Sequence, residues 1–257
     1  LGEGGLPQVL EFASTVPNAR LVGEVMADLD QPEFDAEILP ALLDVANQKL
    51  WSLVTAYAWR RRFMGTWQWF DDINKVGWEP KQIALLLCAL PFERNAWDRA
   101  VQLLGENEGE YWNMTCANTY QTEDDTEYAL RKLLEFGRPD AVIDGLSRDL
   151  FKKKGINPDL ACDALLSLVQ VEEPTGRIDS YHITKVIKAL QENTTTDQDK
   201  LFHVEWAYVS LLDRHSDGSP ITLESRLASD PNFFSELVQM IYRAEGAEPE
   251  EPSEQRR

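Results

Sequence analysis

Long hydrophobic runs are missing from this chain. No stretch approaches the roughly 18 consecutive apolar residues of a membrane helix. The first residues do not read as a charged-then-apolar leader. Cysteine is scarce: Cys88, Cys116 and Cys162 lie far apart among 257 residues, with no CxxC pair. An odd count at that spacing argues against a disulfide framework or a zinc site, and predicts buried thiols in a reducing cytoplasm. Positive charge is also short. Lysine and arginine total 25 against 44 acidic residues, a formal charge of −19. That balance argues against nonspecific binding to nucleic acid or to an anionic membrane, because both reward a basic surface.

The residues of common catalytic motifs are equally thin. The three histidines, His182, His203 and His215, form no HExxH or HxxxH pair. His203 and Glu205, two apart on a helix, point in different directions. Asp213, His215 and Ser216 have the residue types of a hydrolase triad but crowd one helix end, where a relay cannot assemble. There is no GxxxxGK[ST] loop and no GxGxxG after a strand. The acidic run Glu123-Asp124-Asp125-Thr126-Glu127 lacks the spaced oxygens and glycine turn of a calcium loop, and suits the positive end of a helix dipole. No catalytic residue, metal ligand or cofactor-binding residue is singled out, and no cofactor is expected. The sequons at Asn113 and Asn193 carry no meaning in a cytoplasmic chain.

Strand alternation is absent too, and helix signals fill its place. Prolines stand where a first helical turn tolerates them: Pro32, Pro80, Pro139, Pro158 and Pro231. Asn157 and Asp230 read as N-caps, and Thr122 with Asp125 resembles a capping box. Apolar residues recur at helical spacing, as in Leu160, Ala164, Leu165, Leu168 and Val169, and again in Phe233, Phe234, Leu237, Val238 and Ile241. The expected helices run roughly 7–16, 18–29, 33–47, 49–63, 66–75, 80–90, 95–104, 108–118, 123–136, 139–151, 158–171, 178–192, 198–213, 222–228 and 231–243. Pro40 should kink or split the third. Lys152-Lys153-Lys154-Gly155 reads as a C-terminal cap ending in glycine.

Short connections favour antiparallel neighbours. Leu90-Pro91-Phe92-Glu93-Arg94-Asn95-Ala96-Trp97 matches Leu134-Glu135-Phe136-Gly137-Arg138-Pro139-Asp140-Ala141 faintly, at a spacing of about 44 residues. The fold class read from these signals is all-α: stacked antiparallel helix pairs, a HEAT/TPR-like α-solenoid or irregular helical array. Residues 1–243 form one elongated domain with a sub-boundary near 172–178. Residues 244–257, rich in Glu, Pro and Ser, form a disordered acidic tail. The start at Leu1 points to a piece of a longer chain.

Trp51 to Trp78 is the unusual segment, with five tryptophans around Arg60-Arg61-Arg62. Core packing explains part of it, since Trp51, Thr55 and Trp59 share a helix face. Tryptophan and arginine also dominate binding hot spots. The candidate interaction residues are Arg60, Arg61, Trp67 and Trp69, at least two of them expected to be exposed.

Towards the C-terminus, Ile178-Asp179-Ser180-Tyr181-His182-Ile183, Val204-Glu205-Trp206-Ala207-Tyr208 and Leu227-Ala228-Ser229-Asp230-Pro231-Asn232-Phe233-Phe234 stand out. Over residues 178–243 this combination resembles the C-terminal helical region of very large bacterial proteins, some of them NTPase-containing conflict or defence proteins. The resemblance implies a helical scaffold or sensor whose NTPase part would lie upstream, and it carries over no catalytic residue. The expected function is a non-catalytic interaction, sensor or scaffold module, not an enzyme, whose partner is a protein or the upstream domains of the same parent chain. The alternatives are an enzyme with an unfamiliar carboxylate/His pocket and, on charge alone, an acidic nucleic-acid mimic.

Overall fold

The computed structural model describes residues 5–42, 48–122, 124–171, 179–213 and 218–241. The expected tail at 244–257, the sub-boundary at 172–178, and His215 and Ser216 lie outside the described residues. The fold is all-α. Among the described residues there are fifteen α-helices and no strand: α1 Gly5–Thr15, α2 Ala19–Asp28, α3 Pro32–Leu42, α4 Gln48–Asp72, α5 Pro80–Cys88, α6 Arg94–Leu104, α7 Gly109–Met114, α8 Thr126–Glu135, α9 Pro139–Phe151, α10 Pro158–Gln170, α11 Ser180–Glu192, α12 Gln198–Ala207, α13 Val209–Leu212, α14 Ile221–Ser229 and α15 Pro231–Ile241.

Local chemistry sets most boundaries. All five prolines open helices, where the missing N–H costs nothing. The Asn157 side chain accepts from Leu160 N (3.1 Å) and that of Asp230 from Asn232 N and Phe233 N (3.0 and 3.2 Å). Asp179 and Asp197 cap α11 and α12 in the same way. The capping box expected at Thr122 is absent. That hydroxyl donates to Thr119 O and bonds the Thr126 hydroxyl, and α8 starts at Thr126 instead. A reciprocal bond of that type stands at Glu79, whose N–H donates to Gln82 Oε1 (2.9 Å).

Five expected helices differ. The third continues through Pro40 to Leu42. The fourth and fifth are one run, α4, interrupted at Thr66 (φ 58°, ψ −160°). Residues 115–118 leave the helix, because Thr115 is extended. The helix expected over 198–213 breaks at Tyr208, whose hydroxyl donates to Leu165 O of α10 (2.9 Å). Val169, Phe234 and Val238, expected on buried stripes, face outward. Of the cysteines only Cys162 is fully buried; Cys88 is half-buried and Cys116 exposed. Burial pushes the Cys88 thiol up to about 12 and that of Cys162 up to about 11.

Packing follows the chain. α1, α2 and α3 lie on α4; α5 meets α6 and α7; thereafter each helix packs mainly on the next or next but one. One continuous apolar core runs from Ala13 to Leu212. Its densest part is aromatic: Trp97 and Trp112 are fully buried, with Phe92 edge-on to both at 5.1 and 6.1 Å and Phe136 stacked on Trp112 at 6.5 Å. Phe92 and Phe136 are the matched positions of the faint repeat, so both halves of it converge on one indole. α2 and α4 approach closely enough that a Cβ on Gly23 would lie 2.1 Å from Leu53 O.

Candidate functional site

Three consecutive residues on a helix point about 100° apart. Arg60, Arg61 and Arg62 use that geometry to reach α2, α3 and the residue before α6. Arg60 Nε meets Asp28 of α2 at 2.6 Å, Arg61 Nη2 meets Asp35 of α3 at 2.9 Å, and Arg62 Nη2 meets Glu93, the residue before α6, at 2.6 Å. The triplet is a hub tying the N-terminal helices to each other and to the next layer.

The middle arginine is the buried one. Asp35 Oδ1 accepts from Tyr57 OH (2.6 Å) and Arg61 Nε (3.2 Å), and Oδ2 from Arg61 Nη2 and Trp69 Nε1 (3.0 Å). Arg61 Nη1 also donates to Asp30. Burial works against the Arg61 charge, but Asp35 and Asp30 outweigh it and hold the guanidinium above its usual range. Burial first, then Asp35, pushes the Tyr57 hydroxyl up. A cleft of about 510 Å³ opens above this knot, with Asp30, Asp35, Arg61, Met64, Trp69 and Asp72 among its walls. Its buried carboxylate is not a free base: Asp35 already accepts four hydrogen bonds, two on each oxygen.

The other candidate tryptophan lies at a seam. Trp67 Nε1 donates to Glu93 Oε1 (2.7 Å), the oxygen that also takes Arg62. Arg62 and Arg99 sit over the Trp67 ring at 5.2 and 4.6 Å, and Arg99 pairs with Asp71 at 2.6 Å. The four candidates thus divide. Arg61 and Trp69 are buried and structural, while Arg60 and Trp67 are half-buried, which falls short of the two exposed side chains expected among the four.

The sequence reading missed the surface beside them. On α2, Leu21, Glu24, Val25 and Asp28 share one face at i, i+3, i+4 and i+7, and Leu29 adjoins it. Leu21, Val25 and Leu29, with Phe12 of α1 and Phe63 of α4, are each more than half exposed, and Trp59 is 42% exposed. An open groove of about 490 Å³ runs between Arg20, Glu24 and Asp28 on one side and Trp59, Arg60 and Phe63 on the other. Arg20–Glu24 (2.8 Å) and Arg60–Asp28 neutralise its charges in pairs. The signal was available: α2 carries apolar residues on both faces, and a two-layer contact can bury only one.

Elsewhere, polar burial has structural explanations. Glu205 is fully buried because its carboxylate caps α14, accepting from Thr222 N (2.8 Å) and Leu223 N (3.1 Å), while Gln191 Nε2 donates to its other oxygen (2.7 Å). His182 Nδ1 lies 3.3 Å from Asp144, which also holds Arg148. Among the described residues no group of three or more His, Cys, Asp or Glu is placed to hold a metal ion, and no helix is long and apolar enough to cross a membrane. No protein-family model, curated protein or solved structure matches the chain.

Proposed function

We propose that this chain is a non-catalytic protein-interaction module, the scaffold or sensor arm of a larger bacterial protein, and that it docks its partner on the exposed face of α2 and α4. The observation that carries the reading is the exposure of Leu21, Val25 and Leu29 on α2 and of Trp59 and Phe63 on α4, with the paired charges Arg20–Glu24 and Arg60–Asp28 lining the groove between the helices. Large apolar side chains left exposed together beside neutralised charges mark a docking site. Its form suits a partner helix laid along the groove with apolar residues at helical spacing.

The order of packing supports a stacked array as the setting. Helices that pack mainly on chain neighbours leave a terminal layer with one apolar face open, which a further helix pair can cover. A cleft whose buried carboxylate is saturated with donors favours binding over proton transfer. The partner is a separate protein or further helices of the parent chain.

The test places a photo-crosslinking amino acid at Phe63 and, as a control, at exposed Glu106 in the full-length protein in its host. A discrete adduct is expected from position 63 only, lost on adding Leu21→Glu and Val25→Glu. Equal adducts from both positions, or an adduct that survives the double substitution, would remove the proposal.

A further inference from the structure

A second surface, on other helices, has the opposite character. Against a formal charge of −19, the end of α9 and the outer face of α11 are locally basic. Arg148, Phe151 and Lys152 share one face of α9 at i, i+3 and i+4; Tyr181, Lys185 and Lys188 share one of α11 at i, i+4 and i+7. Lys153 and Lys154 follow directly. Of the nearby acids, Asp144 holds Arg148 and His182, Asp179 caps α11, and Asp149 is buried beneath Lys152 and Lys154.

Three aromatic rings stand on this basic ground. Tyr120 is 68% exposed, Phe151 57% and Tyr181 50%. Phe151 stacks on Tyr181 with centroids 6.1 Å apart, which joins the two helices. Each group has a cation on a ring face: Arg148 and Lys152 lie over Tyr120 at 5.4 and 4.5 Å, and Lys185 over Phe151 at 2.8 Å. Half or more of each of these three residues stays open to solvent beyond those contacts. The core beneath is supplied by Val142, Ile143, Leu146, Val186 and Ile187.

We infer that this shelf of Tyr120, Arg148, Phe151, Lys152, Tyr181 and Lys185 binds an acidic peptide segment in which carboxylates alternate with apolar side chains. Ammonium groups held over rings present positive charge at fixed positions, and ring edges beside them accept apolar side chains. Charge complementarity selects the carboxylates. A single-stranded nucleic acid fits less well on two grounds. Base stacking needs open ring faces, and cations already cover those of Tyr120 and Phe151. A long polyanion also meets the repulsion of the whole acidic chain, where a short peptide meets only the local field.

The experiment titrates the protein into a labelled peptide alternating glutamate and leucine, read by fluorescence anisotropy at low and physiological salt. Comparison probes are the glutamine version of the peptide and a labelled oligothymidylate. Saturable binding of the acidic peptide is expected, weakened by salt and weakened about tenfold by Lys152→Glu with Lys185→Glu. The milder pair Lys152→Gln and Lys185→Gln should weaken it in the same direction, with helical circular dichroism and melting unchanged. Val25→Glu, on the other surface, should leave it as in the wild type. Equal affinity for the glutamine peptide, tighter binding of the oligonucleotide, or wild-type affinity in the lysine variants would each overturn the assignment.

Discussion

Arg61 and Trp69 stand on opposite sides of the break at Thr66, and both donate to the carboxylate of Asp35. One acid on α3 therefore fixes the angle between the two halves of α4. Asp35→Asn is expected to cost about 3–5 kcal/mol, because it leaves a guanidinium buried without its counter-charge. Arg60→Ala, one residue away but paired at the surface, should cost at most about 1 kcal/mol. Urea denaturation of the two variants measures the contrast. Equal losses would show that the buried knot is not what holds the kink.

Gly23 carries a separate prediction. Its missing side chain lets α2 lie against the backbone of α4, and the atom a methyl would strike is Leu53 O. A backbone oxygen inside a helix cannot rotate away. Gly23→Ala should therefore destabilise by about 1–3 kcal/mol, the usual range for overpacking, despite the better helix propensity of alanine. A rise in melting temperature would show that the helices separate at no cost.

Two helix ends offer an internal control. After α8, Gly137 (φ 72°) donates to Leu134 O and Arg138 to Leu133 O. After α9 the same pair of bonds forms from Lys153 to Leu150 O and Lys154 to Asp149 O, so the left-handed residue is Lys153 (φ 59°), not the glycine two places on. Lys153→Gly should stabilise by about 1 kcal/mol and Gly137→Ala should destabilise by a similar amount. Thermal melts that move in the same direction for both would contradict this geometry.

Asp149 and Asp71 predict opposite responses to acid. Burial raises the pKa of Asp149, and one of its oxygens has no hydrogen-bond partner. Its ionised form therefore opposes folding above the folded pKa, and the penalty fades as pH falls towards the unfolded value. Asp71 is held down by its hydrogen bonds from Arg99. Its contribution is present above the unfolded pKa and is lost as pH falls through the folded one. Asp149→Asn should then stabilise the protein at neutral pH, with the gain shrinking on acidification. Asp71→Asn should lose stability at neutral pH and converge with the wild type in acid. Denaturation midpoints across the carboxylate range distinguish the two slopes.

The helices were legible because their signals are local. A proline at N1, an asparagine or aspartate cap and an apolar repeat each act within a few residues, and apart from α3, α4, α7, α12 and α13 each helix agrees with its expected bounds to within three residues. What failed depended on tertiary partners. The break at Tyr208 (φ −111°, ψ 15°) goes with a bond from its hydroxyl to Leu165 of another helix, and no window around Tyr208 contains that partner. The Trp/Arg segment stands out in the sequence, yet its arginines could not be sorted by sequence. Which of Arg60, Arg61 and Arg62 is buried depends on where Asp28, Asp35 and Glu93 come to rest. The open face of α2 was legible in principle, since Leu21, Val25 and Leu29 recur every four residues.

Trp59 is the most exposed tryptophan among the described residues; Trp97 and Trp112 lie fully inside, with Trp69 nearly so. The chain thereby carries its own optical reporter. A neutral quencher such as acrylamide will reach Trp59 first and leave the inner indoles emitting towards the blue. Because Trp59 lines the α2–α4 groove, a partner seated there will shield it, and its arrival can be followed by light without attaching any dye.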